Sequence, residues 1–223
     1  MLLLALSCLQ GRTQAEAFER LAALPVDGIQ LTPGNLPSPG FRDQARRYGG
    51  VLRYHHSFSW EHYRAEVYDD GAIVPKLPRA WSLHPPATKH PATFSTWLTN
   101  ALAVDALCEV MYPGYRLGQD AELLDAMASK LRLAVDVSHL RIQRHRGDLR
   151  DATLHQLLAY ERIEEVHVSH NEGRADSHSP LRPDTPWLDW ARERMRGGAA
   201  LVFESRLHDP NLDISAQLEL IRD

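Results

Sequence analysis

Short apolar runs alternate with amphipathic stretches along the whole chain. Near-continuous apolar runs of about four to seven residues are typical of strands that are buried on both faces of a parallel sheet. Eight such runs predict eight strands: Leu2–Ser7, Gly28–Thr32, Gly50–Tyr54, Ala80–Leu83, Ala106–Val110, Leu131–Val137, Ile163–Ser169 and Ala199–Phe203.

The stretches between these runs have the spacing of amphipathic helices. Thr13 and Glu16 have the spacing of a capping box, which predicts that a helix begins there. Residues 59–76 are less regular and predict a long loop with a short helix. The predicted helices are Thr13–Leu24, Pro39–Tyr48, Ala92–Val104, Gln119–Lys130, Leu149–Tyr160, Pro186–Met195 and Ile214–Arg222. In the fourth of these, one apolar stripe is predicted to face the sheet: Ala121, Leu124, Met127 and Ala128.

Eight strands that alternate with helices predict an α/β fold, a (β/α)8 TIM barrel. Such barrels typically contain about 250 residues, so a chain of 223 residues is expected to form a compact one with short loops. An open, doubly wound sheet is the alternative, and it is disfavoured because residues 7–11 lack the glycine-rich spacing of a phosphate loop. Because no linker or shift in composition divides the sequence, we expect a single domain over residues 1–223.

Composition narrows the class of partner. The net charge of −4 lacks the basic excess of a protein that holds nucleic acid by bulk charge. Two cysteines, Cys8 and Cys108, exclude a disulfide scaffold and a cysteine-only zinc site. The run Met1–Leu9 is too short to span a membrane, and no basic residue precedes it, so a buried strand is favoured over a signal peptide. We therefore expect no membrane partner and a cytoplasmic location.

Histidines and carboxylates follow six consecutive predicted strands, from the third to the eighth. In a TIM barrel the carboxyl ends of the strands meet at one mouth, where active sites are built. Nine side chains there are candidate metal ligands: His55, His84, Glu109, Asp136, His139, His167, Asp176, His178 and Glu204. Crowded carboxylates repel one another unless cations separate them. Mixed imidazole and carboxylate ligands suit zinc, iron or manganese, and the ligand number predicts two to three divalent ions.

The order of these residues resembles the xylose-isomerase-like superfamily of barrels, and most closely the AP endonuclease family 2, of the endonuclease IV type. That family holds three metal ions with motifs that follow the fourth to eighth strands. The matching motifs here are His84-Pro85, Glu109, Asp136-x-x-His139, His167, Asp176-x-His178 and Glu204. The match extends in order from His55 to Glu204, which is most of the chain.

The resemblance implies which residues share each ion. The implied sets are His55, His84 and the bridging Glu109 for the first ion, Glu109, Asp136, His167 and Glu204 for the second, and His139, Asp176 and His178 for the third. Glu109 and Glu204 are the implied catalytic residues. The implied activity is hydrolysis of a phosphate ester through a metal-bound hydroxide, whose pKa is lowered toward about 7.

Three departures from the family pattern leave the substrate open. Sugar isomerases of the superfamily usually carry a glutamate where this chain has Gln30. The AP endonucleases are longer and commonly have Asn-Asp where this chain has Ser169-His170. A third related group, the multinuclear iron-dependent oxidative enzymes that modify peptides, uses a similar ligand set.

Phosphate-ester hydrolysis is therefore the leading hypothesis, with a small phosphate ester, a peptide or a nucleic acid as the open substrate classes. The first alternative is a multinuclear non-heme iron enzyme that oxidises a peptide or small molecule with O₂. The second is a sugar isomerase or epimerase, which Gln30 disfavours. A non-enzymatic metal-binding barrel is the remaining possibility.

Other polar residues lie near the predicted strand ends. Four of them are candidates for contact with substrate: His56, His170, Arg174 and Arg206. Glu164 and Glu165 lie near the start of the seventh predicted strand, at the opposite end of the barrel, and are expected to form a solvated pair.

Overall fold

Among the described residues, eight parallel strands close into a barrel in a computed structural model of this chain. The structure describes residues 1–63, 68–69, 72–73, 81–90 and 92–222. The barrel strands are β1 (Leu2–Ala5), β2 (Gly28–Leu31), β3 (Val51–His55), β6 (Trp81–Leu83), β7 (Leu107–Val110), β8 (Arg132–Asp136), β9 (Ile163–Val168) and β10 (Ala200–Phe203). Their order around the barrel is β1-β10-β9-β8-β7-β6-β3-β2. The predicted TIM barrel is confirmed.

Helices follow the strands around the outside of the barrel. They are α1 (Gln14–Ala22), α2 (Phe41–Arg46), α3 (Phe94–Ala103), α4 (Asp120–Ala128), α5 (Val137–Arg146), α6 (Asp151–Leu158), α7 (Leu188–Arg196) and α8 (Ile214–Arg222). The capping box of α1 is present: Thr13 accepts a hydrogen bond from the backbone N–H of Glu16, and the Glu16 carboxylate accepts one from the N–H of Thr13. A 3-10 helix, Leu6–Leu9, extends β1 toward the mouth of the barrel.

The sequence pattern does not predict α5. This helix begins at Val137, directly after β8, so the residues of the predicted sixth strand run into it without a loop. The Asp136 carboxylate caps it by accepting hydrogen bonds from the N–H groups of Ser138 and His139. Because polar residues dominate the rest of α5, the helix shows little amphipathic periodicity.

Two further expectations are corrected. In α4 the buried side chains are Leu123, Ala126 and Met127, while Ala121 and Ala128 are exposed. The two alanines are small enough to lie on the solvent face at little cost, so they are a weak guide to the buried stripe. The short helix expected in residues 59–76 is absent from the described part of that segment, which includes the antiparallel strands β4 (Tyr68–Asp69) and β5 (Ala72–Ile73).

Polar side chains occupy part of the barrel interior, and they contact one of the candidate metal ligands from below. Along β9, Val166 and Val168 belong to the apolar core, whereas Glu165 and His167 bond to polar groups inside the barrel. Successive side chains of a strand point to opposite faces, so one apolar-looking run serves both layers.

The expectation of a solvated pair of glutamates is wrong for Glu165. Its side chain is fully buried and bonds to Arg53 Nη1 at 2.7 Å. Glu164 faces outward and bonds to Arg132 at 2.7 and 2.5 Å. Consecutive residues of a strand cannot share a face, which is why the pair separates.

No helix among the described residues is both long enough and apolar enough to cross a membrane.

Gly28 fixes the close pairing of β2 with β3. A Cβ atom added at this position would lie 2.1 Å from the carbonyl oxygen of Val51, its partner across the strands. We predict that Gly28→Ala destabilises the fold by about 1–3 kcal/mol, because the backbone of one strand must move to relieve the clash. Thermal unfolding should show a midpoint several degrees lower, and Gly49→Ala is the control, since its added Cβ would meet nothing within 4 Å. Equal midpoints for the two variants would contradict the prediction.

Candidate metal centre

The carboxyl ends of the strands surround a cavity of about 210 Å³. Its lining includes seven of the nine predicted ligands, namely His55, His84, Glu109, His139, Asp176, His178 and Glu204. The other two, Asp136 and His167, are fully buried and lie in contact range of these residues. A larger cavity of about 580 Å³ lies beside Ile163 and Ala199, near the opposite ends of β9 and β10. The predicted ligands therefore converge on the mouth and not on the larger cavity.

Among the described residues, three groups of buried side chains hold potential ligand atoms within 4.8 Å of one another. The groups are His55, Glu109 and His167; Glu109, Asp136 and His139; and Asp136, His167 and Glu204. Each pair of groups shares one residue. These clusters could bind metal ions, and ions held there would be close neighbours.

His55, His84 and Glu109 form one corner of the centre. The two Nε2 atoms lie 3.0 Å apart, and they lie 3.3 and 3.1 Å from Glu109 Oε2. Tetrahedral ligands about 2.0–2.1 Å from a zinc ion lie roughly 3.3 Å from each other, so these spacings match a metal corner. Ser82 Oγ lies 2.7 Å from His55 Nδ1, which orients that ring with Nε2 toward Glu109.

Asp136, His167 and Glu204 form the deepest part. His167 Nδ1 lies 3.4 Å from Glu204 Oε1 and 3.6 Å from Glu109 Oε1. Asp136 Oδ1 caps α5, and its Oδ2 is buried without a hydrogen-bond partner, as are Glu109 Oε2 and His167 Nδ1. Buried polar atoms are normally satisfied, and an ion would satisfy all three of these. The residues present therefore fit a metal.

Asp176 joins two histidines at the outer edge of the mouth. Its Oδ2 lies 3.2 Å from both His139 Nε2 and His178 Nε2. His139 Nδ1 lies 3.0 Å from the carbonyl oxygen of Val110, so that nitrogen donates and Nε2 is left to bind a metal. His178 itself lies in a loop, and its backbone has a positive φ.

Burial and neighbouring charges shift the pKa values of several side chains in the cluster. Burial, together with the neighbouring Asp136, raises the pKa of Glu204 to about 7. Burial opposes the charged form of His178, but Asp176 outweighs it and raises the pKa of that imidazole to about 9. The pKa of His139 and of His167 is also raised well above the ordinary value, because nearby carboxylates outweigh the effect of burial. Protons on these histidines therefore offset part of the carboxylate charge.

His56 packs against the candidate ligand His84 and does not line the cavity. Its ring stacks on His84 with centroids 4.3 Å apart and an interplanar angle of 18°. Its backbone lies in the left-handed region, at φ 46°, which is uncommon for residues other than glycine, although histidine adopts it more often than most. The stacking holds His84 in place beside Glu109.

The other three candidate substrate residues also lie outside the cavity lining. His170 is buried, with Nδ1 3.0 Å from Thr185 Oγ1 and Nε2 3.2 Å from Glu172. Arg174 is exposed, and its carbonyl oxygen accepts a hydrogen bond from Arg146. The exposed Arg206 donates its backbone N–H to the carbonyl oxygen of His178 at 2.8 Å.

Sequence reasoning missed two sets of site residues. Four neutral residues form the wall of the cavity that the ends of β1 and β2 provide: Ser7, Gln10, Thr32 and Pro33. These residues also follow barrel strands, but they are uncharged and so give no sign of metal binding in the sequence. The second set lies beneath the ligands and includes Gln30, Arg53 and Glu165. Its signal was the spacing of Glu165 and His167, which places both on one face of a strand.

No model of a protein family matches this sequence, and no curated protein is significantly similar to it. The barrel fold and the side-chain clusters that could bind metal are features of the structure of this chain.

We predict that the protein, purified without added metal, contains two to three transition-metal ions per chain, because three buried groups of ligands share corners. Glu109→Gln should lower the metal content, since it removes a carboxylate charge common to two groups. Elemental analysis of both proteins checks this. Glu161→Gln, which changes an exposed carboxylate paired with Lys130, is the control. Trace metal in the unaltered protein under several growth conditions would contradict the assignment.

Metal binding should also release protons. At pH 7 the metal-free protein carries a proton on His178, whose pKa is about 9, and a partial proton on Glu204, whose pKa is about 7. A metal must displace these protons, so we predict that zinc binds more tightly as the pH rises from 6 toward about 9. Titration of the metal-free protein with zinc in weak buffer, with a pH indicator, measures the release. Binding without proton release at pH 7 would contradict the prediction.

Proposed function

We propose that this chain is a multinuclear metalloenzyme that hydrolyses a small phosphate ester. The observation that carries this proposal is the charge of the mouth. Four of the nine clustered candidate ligands are carboxylates, namely Glu109, Asp136, Asp176 and Glu204. Two divalent ions would neutralise them, and a third would leave an excess of two positive charges. Such a site complements the charge of a phosphate group.

The ligand sets that the resemblance implies support the proposal. The AP endonuclease pattern groups His55 with His84 and Glu109, and these three lie within 3.3 Å of one another. It also groups His139, Asp176 and His178, and Asp176 lies 3.2 Å from both histidines. Sequence order and spatial grouping therefore agree for residues that are distant in the chain. We infer membership of the xylose-isomerase-like superfamily on this basis.

The chain's own side chains have separable roles in this proposal. Bound divalent ions would supply a nucleophile at neutral pH and would neutralise phosphoryl oxygens. Glu109 would help to hold two ions, because it belongs to two of the ligand groups. Glu204 lies within reach of both His167 and His178, and so would connect the deep and outer parts of the centre. The neutral wall with Ser7 and Thr32 would contact the part of the substrate that does not react.

The size of the mouth favours a small substrate over duplex DNA. Typical ligand sites enclose about 300–1,000 Å³, and the cavity here encloses about 210 Å³. The net charge of −4 also opposes a long polyanion, whose grip depends on many basic contacts. We therefore propose a phosphate with a small attached group as the substrate.

One observation favours a second candidate function. No lysine or arginine lines the cavity among the described residues, and its other wall is neutral. A neutral substrate that is oxidised by O₂ at a multinuclear iron centre would suit this wall, and imidazole with carboxylate accepts iron as well as zinc. A sugar isomerase is disfavoured, because Gln30 bonds to Glu165 below the centre and does not line the mouth.

We predict that the metal-loaded protein hydrolyses p-nitrophenyl phosphate or its diester at equal rates with and without oxygen. Hydrolysis needs no oxidant, whereas the iron alternative consumes O₂. The assay should be run beside metal identification and should include abasic-site DNA as a further substrate. Glu109→Gln should remove at least about 90% of the rate, in keeping with a loss of tenfold or more for a damaged metal site. Glu161→Gln should retain the activity.

Iron as the dominant metal, with no cleavage of any phosphate ester in air or without oxygen, would overturn the hydrolase and favour the oxidative enzyme.

A further inference from the structure

A buried carboxylate lies directly behind one of the candidate metal ligands. Glu165 is fully buried, and its Oε1 lies 2.8 Å from His167 Nε2. The same oxygen accepts a hydrogen bond from Gln30 Nε2 at 2.8 Å, and Oε2 accepts one from Arg53 Nη1 at 2.7 Å. Donors on β2, β3 and β9 therefore hold this carboxylate, which offsets the cost of burying its charge.

Strand geometry sets the direction of the histidine ring. Residues 165 and 167 lie two apart on β9, so both side chains enter the barrel, one above the other. The carboxylate of Glu165 meets the ring at Nε2, while Nδ1 faces Glu204 Oε1 at 3.4 Å and Glu109 Oε1 at 3.6 Å. The two ring nitrogens thus face different environments.

A carboxylate can only accept a hydrogen bond, so Nε2 must carry a proton and Nδ1 is left with its lone pair when the ring is neutral. We propose that Glu165 is a positioning residue that fixes His167 in this tautomer and presents Nδ1 to the metal centre. This inference rests on the proposed metal centre but not on the reaction that it catalyses. An anionic partner also makes the imidazole a stronger donor of electrons to a metal.

The surroundings of Glu165 are matched to this role. Arg53 balances the carboxylate charge, so the pair adds no net charge below the metal ions. Gln30 donates to the oxygen that His167 also uses, and a glutamate at that position would place a second carboxylate in repulsive contact with Glu165. A neutral donor such as this glutamine therefore suits the position beside a buried Glu165.

The test compares Glu165→Gln with Glu164→Gln. The two substitutions are chemically identical, and each disturbs one pairing of glutamate with arginine on β9. Only the first removes the anionic acceptor of His167. Each protein is titrated with Co²⁺, and its visible absorption and affinity are measured by competition with a chelator. We expect Glu165→Gln to bind Co²⁺ about 10–100-fold more weakly and with altered absorption bands. Glu164→Gln should match the unaltered protein in both.

The outcomes separate this inference from the proposed function. Unchanged affinity and spectrum in a folded Glu165→Gln protein would overturn the role of Glu165, whatever the protein hydrolyses. Failure of the unaltered protein to bind Co²⁺ would overturn both proposals, and binding without phosphatase activity would overturn only the hydrolysis. If Glu165→Gln does not fold, a crystal structure of the zinc-loaded, unaltered protein decides instead. Zinc on His167 Nδ1, with Nε2 still bonded to Glu165, supports the inference, and zinc on Nε2 overturns it.

Discussion

The repulsion among four carboxylates in one barrel mouth is the constraint on which the rest of this structure depends. Glu109, Asp136 and Glu204 are buried, and Asp176 is only partly exposed, so water cannot screen them effectively. In the metal-free protein, protons on the neighbouring histidines offset part of this repulsion. The barrel must therefore be rigid enough to hold like charges together, and hydrogen-bonded parallel strands provide that rigidity.

The sequence was most informative at the ends of the parallel strands, where histidines and carboxylates follow the apolar runs. Parallel strands must end at the same face, so a histidine or carboxylate after each of six apolar runs was sufficient to predict where His55, Glu109 and Glu204 would meet. That inference needed no register and no knowledge of which side chains point inward. It depended only on the strands being parallel.

The failures have equally physical causes. Glu165 stands next to Glu164 in a run that looks half polar, and only the register of β9 decides which of them enters the barrel. Helix α5 begins directly after β8 without a loop, and polar residues cover most of its surface. The sequence therefore shows neither a loop that separates the helix from the strand nor the apolar periodicity that predicts a helix. His170 follows β9, but its ring bonds to Thr185 and Glu172 and is not part of the cavity lining. A strand-end position therefore predicts proximity to the mouth but not the direction of the side chain.

Asp136 illustrates how little freedom such a centre leaves to mutation. One of its oxygens begins helix α5 and the other faces the candidate ligands, within 3.6 Å of His139 Nε2. Asparagine would preserve the cap and lose the charge, while glutamate would preserve the charge on a side chain too long for the cap. Serine or threonine would begin the helix and offer no second oxygen. Of these residues, only aspartate both caps the helix and places a charged oxygen among the candidate ligands.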